Sequence, residues 1–157
     1  MSPRLRTHAI RVLDEAGIAY EVLHHAHKAK NVEEAATERD LALSQIVKAI
    51  LVQRPRGYVL VLVRGDQRLS LKKLARLLGD KQVELAAAHD VPRITGYQIG
   101  AVAPLGLRRS DTPIWVDEHI LEQEHVSISA GRHDAGLLLR TADLVRAVDG
   151  RVEDLTE

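Results

Sequence analysis

Two apolar runs and the turn between them, IVKAILVQ (46–53), RPR (54–56) and GYVLVLVRGDQ (57–67), decide the fold. Both runs are rich in β-branched residues and read as strands. Arg54-Pro55-Arg56-Gly57 supplies turn chemistry, because proline presets its φ and glycine accepts backbone shapes that other residues resist. The stretch therefore predicts a hairpin buried in the centre of a sheet, with at least one antiparallel pair.

Helices and further strands are interspersed around this hairpin. Residues 3–16 place Leu5, His8/Ala9, Val12/Leu13 and Ala16 on one face, with Ser2 as N-cap, Pro3 at the first helical position and Gly17 just past the end. AYEVLHH (19–25) alternates like a strand, and Asn31 followed by Glu34 signals a capped short helix. Ser70 caps LKKLARLLG, which turns Lys72, Lys73 and Arg76 outward and stops at Gly79. Beyond it come a short strand at QVEL, a short helix around AAAHD, a glycine-rich loop, strands at 113–118, 125–131 and 136–140, and a last helix capped by Thr141 and running through Ala147. The expected class is α+β, a mixed β-sheet surrounded by helices, with residues 1–157 as one domain.

Composition narrows the chemistry. Hydrophobic residues are 45% and charged residues 28% of the chain, the balance of a folded, water-soluble domain. No cysteine is present, which excludes disulfides, thiolate ligands and a cysteine nucleophile. No apolar run approaches the roughly 20 residues of a spanning helix, and the opening residues are charged, so a cytoplasmic protein without a membrane partner is expected. The zero net charge hides an asymmetry: residues 48–109 hold 12 Lys/Arg against 4 Asp/Glu, and the flanks hold 10 against 18. A basic middle of this kind suits phosphate or RNA, or is simply a solvated face.

Three constellations carry possible chemistry. Lys48 interrupts an apolar strand, where an ammonium costs free energy unless it is paired or opens onto a cleft. It is either a snorkelling or paired lysine or the anchor of an anion or carbonyl. GYQIGAVAPLG (96–106) gathers three glycines and a proline, so that its N–H groups either converge on an oxyanion or phosphate or merely make a tight bend. In VSISAGRH (126–133) alternation puts Ser127 and Ser129 on one face; with no G-x-S-x-G elbow, Ser129 reads as a hydrogen-bonding group and not a nucleophile. His24, His25 and His27 lack the spacing of a zinc site, and neither metal nor cofactor is called for.

In this order and at this spacing, IVKAIL (46–51), TGYQIGAVAPLG (95–106) and VSISAGR (126–132) resemble the YbaK/EbsC family, which is similar to the editing domain inserted in bacterial prolyl-tRNA synthetases. The resemblance spans nearly the whole chain and implies a pocket for the amino-acid end of charged tRNA. The family lysine falls on Lys48, its G-x-x-x-P loop on Gly100 through Pro104, and its strand serine on Ser129. His25, Tyr97 and Gly131 complete the implied substrate contacts. Ala101 stands where many members carry glycine, His25 where some carry tyrosine, and the Asp that follows the serine strand is replaced in GLLL. VSISAG is closer to the branch associated with cysteinyl-tRNA(Pro) than to the alanine-specific one.

The implied activity is deacylation of mischarged tRNA, with Cys-tRNA(Pro) first among substrates and prolyl-tRNA synthetase as a possible partner. An activated ester needs orientation and an oxyanion site more than a protein nucleophile. N–H groups at Gly100 and Ala101 would polarise the ester carbonyl, and Lys48 would hold phosphate or sugar oxygens of the tRNA end. Arg54, Arg56, Lys72, Lys73 and Arg76 are the expected phosphate contacts along the acceptor stem. The rivals are a non-catalytic module that binds aminoacyl-tRNA or a synthetase, and a metal-dependent hydrolase using the histidines.

Overall fold

A computed structural model describes residues 5–157. The order is α1 (His8–Glu15), β1 (Glu21–His24), α2 (Val32–Arg39), β2 (Val47–Arg54), β3 (Gly57–Arg64), α3 (Leu71–Leu78), β4 (Glu84–Leu85), α4 (Asp90–Thr95), β5 (Ile114–Asp117), β6 (His125–Arg132), β7 (Ala135–Arg140), α5 (Thr141–Val148) and β8 (Arg151–Glu153). The central hairpin forms as read, registered from Val47 opposite Arg64 to Arg54 opposite Gly57. It lies inside a five-stranded mixed sheet of order β4-β2-β3-β5-β8, in which β2 runs antiparallel to both neighbours while β3, β5 and β8 run parallel. A second, antiparallel sheet of order β1-β7-β6 packs beside it. The class is α+β.

Strand β3 shows why its sequence is an unbroken apolar run. Val59 through Val63 are wholly buried, because both faces of the strand are covered. Leu60 and Leu62 enter a core shared with α1, β6 and β7, while Val59, Val61 and Val63 pack with Leu74, Ala75 and Trp115 on the α3 side. Truncating either leucine to alanine costs about 2–5 kcal/mol, a large share of the roughly 5–15 kcal/mol that holds a domain folded.

Several boundaries differ from expectation. Helix α1 begins at His8, with the Thr7 side chain accepting from Ile10 N, and Leu5–Thr7 are not helical; Ser2 and Pro3 lie outside the described residues. A threonine cap three residues before Ile10 outcompetes a proline start. AAAHD precedes a helix instead of forming one, since α4 starts at Asp90. Thr141 is the first residue of α5 and not its cap; its hydroxyl donates to Gln123 O. Strand β8 was not expected, nor were the 3-10 turns Leu43–Gln45 and Glu118–Glu122. The caps at Asn31 and Ser70 form as read.

One topological detail positions the site. The outer edge of β2 is met at its start by β6, through a bridge between Ile46 and Ser127, and at its end by β4, opposite Val52 and Gln53. Between these contacts no strand among the described residues pairs with the edge. Leu51 O points outward, accepting from Ala86 N. Strand alternation therefore turns the N–H and C=O of Ala49, two residues earlier, to the same open edge.

Candidate active site

The open edge of β2 forms one wall of a cavity of about 110 Å³ that also touches α2, the glycine loop and β6. Lys48, Gly100 and Ser129, far apart in sequence, line it together with Asn31, Arg39 and Ala49. No acidic residue, histidine or cysteine is among the lining side chains. The volume is a few water molecules' worth at about 30 Å³ each, enough for a small side chain and little more.

Lys48 makes no hydrogen bond or close ion pair among the described residues. Burial pushes its ammonium below the ordinary lysine range, partly offset by the more distant Glu33. Asp66 and Arg68 also act on it, and all three of these charged neighbours are exposed, so Lys48 stands toward the mouth.

Arg39, at the last position of α2, reaches across the three-stranded sheet. Its Nε donates to His25 Nε2 at 3.0 Å and its Nη1 to Ser127 Oγ at 3.1 Å, and no carboxylate pairs with it among the described residues. Burial pushes the guanidinium down to about 10, which leaves it charged at neutral pH. The side chain lies flat on β7: a Cβ at Gly136 would come within 2.2 Å of Arg39 Nε, so only glycine admits it. Accepting from Arg39 fixes the His25 tautomer, since the other nitrogen, Nδ1, then donates to His133 O at 3.0 Å. Both ring nitrogens are thereby occupied.

Gly100 has φ +82, a left-handed conformation that suits glycine, and packs against the His133 ring and Lys30 O. Its N–H has no partner among the described residues. Ala101 does not share that freedom: its N–H closes a turn onto Gln98 O at 2.9 Å, so the expected pair of oxyanion donors is reduced to Gly100. Ala49, whose N–H strand alternation turns to the open edge of β2, also lines the cavity. Ser129 Oγ accepts from Gly131 N at 3.0 Å and touches no base, which suits a hydrogen-bonding role.

The remaining expected site residues stand elsewhere. Tyr97, Ala101 and Gly131 border a separate cleft of about 320 Å³ with Lys28 and His133. The Tyr97 hydroxyl donates to Leu105 O, and its ring occupies the space that a side chain at position 131 would need. Pro104 is buried, and His25 sits behind Arg39. Tyr97, Pro104, Gly131 and His25 thus shape the loop and its support and do not line the cavity. Of the basic residues, Arg54 is paired with Asp80 at 2.7 Å. Lys73 does not face freely outward: it binds Asp154 at 2.8 Å and Thr156 O. Arg56, Lys72 and Arg76 are exposed, and none forms an ion pair among the described residues.

Sequence reasoning missed Arg39, Ala49 and the cavity role of Asn31. Asn31 was visible as a cap, and its Oδ1 does accept from Glu34 N at 2.8 Å, while the residue also lines the cavity. Nothing in the spacing marked Arg39.

Comparison with known proteins identifies a family. The profile of the aminoacyl-tRNA editing domain matches residues 26–147. An Enterococcus faecalis protein, EbsC, named as a candidate Cys-tRNA(Pro)/Cys-tRNA(Cys) deacylase, is 25% identical over 154 residues, covering 96% of this chain and 93% of its own length. A proline–tRNA ligase of Bacillus licheniformis is 32% identical over 110 residues, which is 70% of this chain but only 19% of the ligase. A crystal structure described as a candidate trans-editing enzyme for prolyl-tRNA synthetase superposes with a TM-score of 0.87 at 30% identity, covering 98% of this chain and 99% of the other.

Proposed function

The chain belongs to the aminoacyl-tRNA editing family, and from that premise we propose that it is a deacylase that hydrolyses the ester between a small, wrongly attached amino acid and tRNA. The observation that carries this reading is the meeting of Lys48, Gly100 and Ser129 around one small cavity without a carboxylate. The cavity receives the aminoacyl group. Lys48 at the mouth holds phosphate or sugar oxygens of the tRNA terminus. Gly100 N–H, with Ala49 N–H on the open strand edge, polarises the ester carbonyl and stabilises the oxyanion as water adds. The C–O bond to the tRNA then breaks, the ribose oxygen takes the proton, and the free amino acid leaves. Fixed donors in a partly enclosed cavity are worth more than the same donors in bulk water.

The size of the cavity and the likeness to EbsC support cysteine on tRNA(Pro) as the first substrate to try. The likeness to segments of proline–tRNA ligases supports prolyl-tRNA synthetase as a partner. Exposed Arg56, Lys72 and Arg76 supply phosphate contacts to the acceptor stem, and residues 1–157 act as one unit. A deacylation panel of tRNA(Pro) charged with Cys, Ala, Ser and Pro tests the reading: release of at least one small non-cognate residue is expected, with Pro-tRNA(Pro) spared. Binding of charged tRNA without release of any amino acid would leave a non-catalytic module in its place.

A further inference from the structure

A guanidinium without a carboxylate is rare where water is scarce, because desolvating it costs several kcal/mol unless acceptors replace the lost water. Arg39 has five N–H donors, and the protein answers two, through His25 Nε2 and Ser127 Oγ. The other three find no acceptor among the described residues, and the side chain lines the cavity. The arrangement is built, not incidental: Gly136 is bare to let the arginine lie on β7, Ser127 is fully buried beneath it, and His25 is locked in the tautomer that accepts from it. What it lacks is an acceptor from the cavity side.

We propose that Arg39 is a specificity-determining residue whose free N–H groups receive the oxygen or sulfur at the end of a small aminoacyl side chain, so that seryl and cysteinyl esters are preferred over alanyl. The inference rests on the deacylase reading and adds to it the class of side chain removed. A tRNA phosphate is the other anion to consider, and position argues against it. Arg39 is held by buried Ser127 at the inner wall, whereas Lys48, with its exposed charged neighbours, stands at the mouth where a phosphate would lie. Alanine enters the same space but lacks the γ oxygen or sulfur that would answer a free N–H, and sites built to hydrogen-bond a substrate group discriminate strongly against analogues that lack it.

The test compares kcat/KM for tRNA(Pro) carrying Cys, Ser or Ala in the wild type and in Arg39→Met. The expected result is a wild-type preference for Cys and Ser over Ala of about tenfold or more, collapsing by about tenfold in the variant. Equal losses on all three esters would overturn the proposal, since a phosphate-binding or purely structural arginine affects every substrate alike. Arg39 also ties α2 to β6, so a second measurement uses only the wild type: inhibition by 3′-amino-3′-deoxyadenosine bearing cysteine, serine or alanine through an amide. Tighter inhibition by the cysteinyl and seryl amides supports the proposal, and equal inhibition overturns it. A wild type that hydrolyses no ester but still prefers those amides would remove the deacylase reading and keep Arg39 as the reader of the side chain.

Discussion

Three cations of the five-stranded sheet and α3 are answered by carboxylates: Arg54 by Asp80 at 2.7 Å, Lys73 by Asp154 at 2.8 Å, and Arg64 by Asp66 at 2.7 Å and Glu122 at 2.8 Å. Around the cavity they are not: among the described residues Arg39 and Lys48 stand there without one. Both regions lie at the margins of the same five-stranded sheet, so the difference is not one of fold. Paired cations return their desolvation cost within the folded chain. Unpaired ones lean on water until an anion or a polarised oxygen arrives, and such sites trade stability for function.

The sharpest way to break this contrast is Lys48→Met. Deacylation should fall about 100-fold or more, the scale of losing one transition-state contact, while the melting temperature holds or rises because a desolvated charge is gone. The opposite holds for Arg54→Met, which strips Asp80 of its partner: stability should drop by about 0.5–1 kcal/mol with turnover retained. A Lys48→Met protein that melts lower and still turns over normally would erase the distinction between the two regions. Next in size is Gly100→Ala. Position 100 has φ +82, where a side chain costs about 1–2 kcal/mol. The added Cβ has ordinary room, with His133 Nε2 at 3.4 Å, so the loop should shift its backbone rather than unfold. A roughly tenfold to 100-fold loss in kcat is expected with KM little changed; unaltered kcat would remove Gly100 N–H from the mechanism.

The same contrast explains what could be read in advance. Hairpin 46–67, the cap at Asn31, the cap at Ser70 and the stop at Gly79 are local matters of propensity and turn chemistry, and they stand in the structure as expected. Lys48 was legible because it interrupts an apolar run. Arg39 was not, because an arginine at a helix end is ordinary in sequence; its meaning comes from Gly136 and Ser127, about 90 residues away and brought beneath it by strand pairing. Ala101 was misjudged for a related reason. A glycine-rich run lets N–H groups converge, but which of them a turn consumes depends on the reach of Gln98 O. The final strand β8 carries no alternation long enough to mark it, and its parallel partner β5 lies more than 30 residues earlier.

A smaller effect probes the support beneath Arg39. Burial, then the charge of Arg39, lower the His25 pKa below its ordinary 6.5, against opposing pulls from the His133 carbonyl, Glu38 and Asp134. The folded state therefore favours the neutral ring. The stability this contributes is complete above pH 6.5 and fades as pH falls through the lower folded value, where a second ring proton would displace the bond from Arg39. Deacylation should decline over the same acid range, and His25→Gln, which keeps an acceptor but cannot titrate, should flatten that limb of the pH profile. An identical acid limb in the variant would detach His25 from Arg39 in function.

The mildest prediction concerns the surface and separates the two classes of cation without touching the cavity. Each phosphate contact a protein makes releases counterions, contributing about 0.7–0.9 to the slope of log affinity against log salt. Arg56, Lys72 and Arg76 are exposed and form no ion pair among the described residues, so replacing all three with alanine should raise KM and flatten its salt dependence by about 2, because not every exposed cation reaches the stem. Lys73 lies on the same helix as two of them, but its charge is spent on Asp154 and on the Thr156 carbonyl. Lys73→Ala should therefore loosen the C-terminal segment and leave the salt slope where it was. Were Lys73→Ala to flatten the slope as much as the triple change, pairing within the folded chain would have no bearing on which cations meet tRNA, and the rule drawn from Arg54 and Lys48 would fail at the surface.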